Sequence, residues 1–113
     1  MHAGAGSVRM LNGNGSWNVL ITSSSNSFAI NTWNHVAMVR YSNTWTLYLN
    51  GVSVGTTSQS AASYYLNTQS FRVGGNFPGF PGSDFQGYIA DVKVHRRAVY
   101  GAFEPATQPF ATR

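Results

Sequence analysis

Apolar and polar residues alternate in short runs along this chain, with a period near two and no sustained 3.6-residue period, which predicts strands throughout. "SWNVLITSS" predicts a first strand, after the turn-rich "NGNG", and "SFAIN" a second, shorter one. "TWNHVAMVRY" predicts a third, with Trp33, His35, Ala37, Val39 and Tyr41 on one face and Asn34, Val36, Met38 and Arg40 on the other. "SNT" turns the chain, and "WTLYLN" returns with Trp45, Leu47 and Leu49 opposed to Thr46, Tyr48 and Asn50. Asn50-Gly51 is the preferred pair for a type I′ hairpin, because both central residues need positive φ. "VSVG" follows, so a meander from Trp33 to Gly55 is expected. Beyond the polar "TTSQSAAS", strands are expected at Ser70 to Val73 and in "QGYIADVKVH". In the latter, Tyr88, Ala90, Val92 and Val94 share one face, and Ile89, Asp91, Lys93 and His95 the other. The Pro-interrupted end, "EPATQPFATR", is expected to be extended.

At 113 residues the chain is expected to be a single domain. Residues 1–15 would form an N-terminal arm, 16–104 a β-sandwich and 105–113 an extended tail. Charged residues make up only 9%, against roughly 25% in an average soluble domain. Asn, Ser, Thr, Gln and Gly supply the polarity instead, a balance that suits extracellular or particle-borne β-structure. The net charge of +4 reflects scarce acids: Asp84, Asp91 and Glu104 face seven bases. Arg96-Arg97 is the one basic doublet, and no Lys/Arg run marks a nucleic-acid arm, so nucleic acid is not an expected partner. No cysteine is present, which excludes disulfides, zinc–thiolate sites and a thiol nucleophile. No apolar run is long enough to span a bilayer, so membrane insertion is not expected. The N-terminus lacks the basic start and apolar stretch of a secretory signal.

The ordered set "TWNHVAMVR…TWTLYLNGVSVG…FRVGG…FQGYIADVKVHRRAVYGAFEPATQPF" resembles the laminin-G-like group of concanavalin A-like lectin/glucanase domains. Its closing "RAVYGAFEPATQPF" is similar to a variant found in bacteriophage virion proteins. The resemblance covers Ser16 to Phe110. It implies an all-β fold, a jelly-roll-like sandwich of two antiparallel sheets. It also implies a virion structural role, as a head decoration or cement protein or a tail or fibre module, with a location on the particle or otherwise outside cells. Such domains open with two or three strands before the equivalent of "GSWNVLIT", whereas only residues 1–15 precede it here. The expectation is a sandwich lacking those strands. A neighbouring subunit would then complete the open edge, or the domain would close differently.

Glycoside hydrolysis needs two carboxylates flanking the bond, and the family's hydrolases group theirs as E-x-D-x-E on one strand, which nothing here matches. Asp84 falls in a predicted loop and Asp91 in a predicted strand, so no enzyme is expected. No G-x-S-x-G elbow is present. His35, in an apolar strand, reads as a core histidine hydrogen-bonded to backbone, and the three histidines show no metal-ligand spacing. Calcium wants six to eight oxygens including several carboxylates. Asp84 and Asp91 with loop carbonyls are a thin stock, so no cofactor is expected, with calcium as the alternative. Asp91 then reads as a structural carboxylate pairing with Lys93 or an Arg, or accepting backbone N–H groups. Tyr64, Tyr65, Phe77, Phe80 and Asp84 are loop residues suited to contact a partner, either another virion protein or a second copy, or to stack on a surface glycan. Arg96, Arg97 and the tail anchor Phe110 complete the expected contact set.

Overall fold

A computed structural model describes residues 2–4, 6–13, 17–24, 27, 29–59, 71–75 and 84–98. Among these residues six strands run in chain order: β1 (His2–Gly4), β2 (Ser7–Gly13), β3 (Trp17–Thr22), β4 (Val36–Tyr41), β5 (Thr44–Leu49) and β6 (Val52–Ser58). They form two three-stranded antiparallel sheets, ordered β1-β2-β3 and β4-β5-β6. Among the described residues there is no helix. Each sheet is a meander of sequence neighbours, which short connections between antiparallel strands favour.

The expected meander is present, though its first strand begins at Val36 rather than Trp33, and its turns follow from backbone chemistry. Asn50 and Gly51 have φ of 49° and 82°, the pair of positive values that a type I′ turn requires. Leu49 faces Val52 across it. Between β4 and β5 the loop is Ser42-Asn43, and only Ser42 has positive φ, at 53°. That position of a tight hairpin is one glycine occupies more cheaply. Ahead of β4 the ladder is extended by a side chain. The Asn50 N–H donates to the His35 carbonyl, while Asn50 Oδ1 accepts the His35 N–H, each at 2.8 Å. Asn50 Nδ2 also donates to Asn34 Oδ1 at 3.2 Å.

The core lies between the sheets. Val8, Met10 and Ile21 from the first meet Leu47 and Leu49 from the second, and Leu47 is wholly buried. Full burial of one such side chain contributes about 1.5–3 kcal/mol. Both sheets slip register once, between Met10 and Leu11 and between Leu47 and Tyr48. The residues skipped by these bulges are Leu20 in β3 and Val54 in β6, and both pack against the core. A bulge bends its strand, and here the bent strands are the two that meet across the sandwich. At Gly55, next to Val54, the sheets approach closely: a Cβ there would lie 2.5 Å from Ile21 Cγ2. On the first sheet Ser23 closes the ladder. Its Oγ accepts the Val8 N–H at 2.8 Å, and its own N–H donates to the Val8 carbonyl at 2.9 Å.

Five expectations need correction. Residues 1–15 are not an arm: they contain β1 and β2, and β2 places Val8 and Met10 in the core. The strands expected to be missing before "GSWNVLIT" therefore have counterparts, and His2 pairs with Arg9. "SFAIN" does not form a strand through its described residues. Asn31 is left-handed at φ 58°, and Asn34 Nδ2 donates to the Ala29 and Thr32 carbonyls, holding a loop instead. Residues 71–73 and 86–95 carry no ladder either. In the second of these Asp91 has φ of 55°, which breaks the extended conformation that alternation alone suggested.

Candidate functional site

The segment 84–98 is exposed at every position, its large apolar residues included. Phe85, Tyr88, Ile89, Val92 and Val94 are all at least 43% exposed, and Tyr88 reaches 89%. Phe71 and Val73 in the neighbouring stretch are exposed as well. Large apolar side chains gathered on one surface mark interaction sites more often than scattered ones do.

Local chemistry ties the two stretches together. The Phe85 N–H donates to the Gly74 carbonyl at 2.8 Å. Gly74 has φ of 73°, and a Cβ there would stand 2.8 Å from Ile89 Cδ1. Its lack of a side chain thus admits both the turn and the Ile89 contact. A Cβ on Gly75 would lie 3.8 Å from Asp84 Oδ1, so Asp84 sits against the same glycine pair. At Gly87 a Cβ would meet the Phe85 ring at 2.9 Å.

Of the residues singled out from sequence, Asp84, Asp91, Arg96 and Arg97 are exposed and share this segment. Tyr64, Tyr65, Phe77, Phe80 and Phe110, and the extended tail 105–113, lie outside the described residues. Among the described residues no group of three or more His, Cys, Asp or Glu is placed to hold a metal ion. No helix among them is long and apolar enough to cross a membrane. His35 is half-buried just before β4. Loss of water around its ring pulls its pKa below the ordinary 6.5, because burial disfavours the imidazolium.

What composition and periodicity did not reveal is the clustering of exposure. The signal available was "KVHRR": Lys93, His95, Arg96 and Arg97 within five positions, directly after the apolar alternation. On the second sheet, Arg40 lies over the ring of its cross-strand partner Trp45, 5.8 Å from the centroid. That contact covers the aromatic edge of the core.

Two antiparallel sheets closed over an aliphatic core, with their apolar surplus on a surface segment, define a lectin/glucanase-like β-sandwich domain. The laminin-G-like family described as the concanavalin A-like lectin/glucanases superfamily matches residues 2–102. The chain belongs to that superfamily. Among solved structures it is similar to an S-layer domain-containing protein from Clostridium thermocellum, at 25% identity and a TM-score of 0.45. The match covers 83% of this chain and 48% of that one, so this chain spans about half the length of that structure. No curated protein matches.

Proposed function

We propose that this domain is a non-enzymatic docking module that acts by protein–protein contact as a structural part of a phage particle, in a head decoration, tail or fibre position. The observation that carries the docking role is the exposed apolar segment 84–98. An isolated domain gains nothing from leaving Tyr88, Val92 and Val94 in water, whereas an assembled one buries them. The particle assignment draws on the resemblance of "RAVYGAFEPATQPF" to virion proteins. A non-enzymatic role fits the scattered acids, since glycoside hydrolysis needs an opposed pair.

The test is fractionation of particles from cells that carry the gene, by density gradient, with mass spectrometry of the particle band. Stoichiometric recovery of the protein with the particles is expected. Its recovery only in the particle-free fraction overturns the virion placement. A second role, glycan attachment, is favoured by the exposed rings of Phe71 and Tyr88, which have the form that stacks on sugar faces. Binding on a glycan array that is lost in Tyr88→Ala would select it over protein docking.

A further inference from the structure

We infer that Asn50-Gly51 is a site of spontaneous deamidation held in check by Asn34 and His35, and that conversion of Asn50 loosens the loop leading into β4. The inference is independent of the docking role proposed above.

An Asn-Gly pair is open to this reaction because glycine leaves its own amide nitrogen unshielded by a side chain. The Gly51 nitrogen attacks Asn50 Cγ. A C–N bond forms, the Cγ–Nδ2 bond breaks, and ammonia leaves carrying the Gly51 amide proton. Water then opens the succinimide at either carbonyl, giving aspartate or isoaspartate. Asn50 is exposed, so water and hydroxide reach it. What opposes the attack is the hold on its side chain. Oδ1 accepts the His35 N–H at 2.8 Å, and Nδ2 donates to Asn34 Oδ1 at 3.2 Å. With both ends of the amide engaged, the rotation that carries Cγ onto the Gly51 nitrogen breaks both bonds. The backbone is held too, since the Asn50 N–H donates to the His35 carbonyl at 2.8 Å.

The same bonds make the product a misfit. Asn34 cannot turn its amide round without loss, because its Nδ2 donates to the Ala29 and Thr32 carbonyls at 2.7 and 3.0 Å. Asn34 therefore presents an acceptor to position 50, while the His35 N–H presents a donor. The residue at 50 must donate from one side-chain atom and accept with the other. An asparagine amide does both; a carboxylate only accepts. Aspartate at 50 sets a charged oxygen against Asn34 Oδ1. Isoaspartate also adds a methylene to the main chain, inside a hairpin whose register depends on a two-residue turn. Either product takes from Asn34 its bond to the hairpin, and Asn34 is what ties the 29–34 loop together.

The chain carries its own standards, since Asn12-Gly13 and Asn14-Gly15 are its other Asn-Gly pairs. The full chain is incubated at mildly alkaline pH, folded and in urea. Conversion at each pair is read by peptide mass spectrometry, with isoaspartate scored by enzymatic methylation. Asn50 should convert about tenfold more slowly in the folded chain than in urea, the factor that two hydrogen bonds supply. Asn34→Ala should speed conversion at Asn50 about threefold, the share of one bond, and leave Asn12 and Asn14 unchanged. Asn50→Asp, the product itself, should exchange amide hydrogens faster across 29–35 than wild type, with β2 and β3 as in wild type. Conversion of Asn50 at equal rates folded and in urea, or none in either state, overturns the inference. So does an Asn34→Ala chain that leaves Asn50 unchanged or speeds all three pairs in parallel while its circular dichroism stays native. Where that variant fails to fold, the folded-to-urea ratio at Asn50 in wild type decides instead. Wild-type exchange across 29–35 in Asn50→Asp overturns the loosening of the loop.

Discussion

At Gly55 the absence of one methyl sets how closely the sheets approach. Ile21 Cγ2 occupies the space a Cβ would need, 2.5 Å away, and Ile21 is itself buried in the core. Gly55→Ala should therefore cost about 1–3 kcal/mol, as overpacking does, read as a lower urea midpoint. Ile21→Ala alone should cost about 2–5 kcal/mol. The double variant should cost less than the sum, because the two changes share one space. His35 makes a different residue-scale contribution. Its folded-state pKa lies below 6.5 through desolvation, so the unfolded chain binds more protons as pH falls through that value. The stability His35 permits is present above about pH 6.5 and declines as acid carries the pH down toward its folded pKa. In His35→Gln, denaturation midpoints should vary less between about pH 7 and pH 5 than in wild type. An unchanged slope would remove His35 as its source.

Hairpins are the elements whose chemistry is most local, and they were the most legible. Asn50-Gly51 and the alternation on either side of it define β5 and β6 because turn type and face are both written within a few residues. Ser42 is the imperfect member of the pair, since a non-glycine residue in left-handed backbone is disfavoured. Ser42→Gly should stabilise the domain by about 1 kcal/mol, measured as a rise of a few degrees in Tm. No rise would mean that the Ser42 backbone, whose carbonyl accepts from Arg40 Nε at 3.0 Å, depends on the serine. Less legible was β2. "SVRMLN" alternates Val8 and Met10 with Ser7 and Arg9, but its pairing with β3 is a property of the partner strand. The bulges at Leu20 and Val54 carry no mark in the sequence, because a register slip is decided by packing across the sandwich. Residues 88–94 are the converse. Alternation states which side chains share a face; it does not supply an edge to pair with, and the positive φ of Asp91 interrupts it.

For the whole molecule, the all-β class and the superfamily were readable from patterns spread along the chain, whereas of the candidate surface only Asp84, Arg96 and Arg97 were. Exposure at 71–75 and 84–98 depends on what the rest of the fold leaves uncovered. Those residues also govern behaviour in solution. Tyr88→Ser with Val94→Ser should change stability by no more than about 0.5 kcal/mol, as exposed substitutions do. The same variant should reduce light-scattering aggregates at high protein concentration; unchanged aggregation would place the sticky surface elsewhere. The meander topology has one more consequence, for the order of events during synthesis. The strands of the first sheet end at Thr22, well before β5 begins at Thr44. A ribosome therefore releases the three described strands of the first sheet while Leu47 and Leu49 are still to come. Val8, Met10 and Ile21 have no lid until then, so the nascent chain spends that interval holding half a core open to its surroundings.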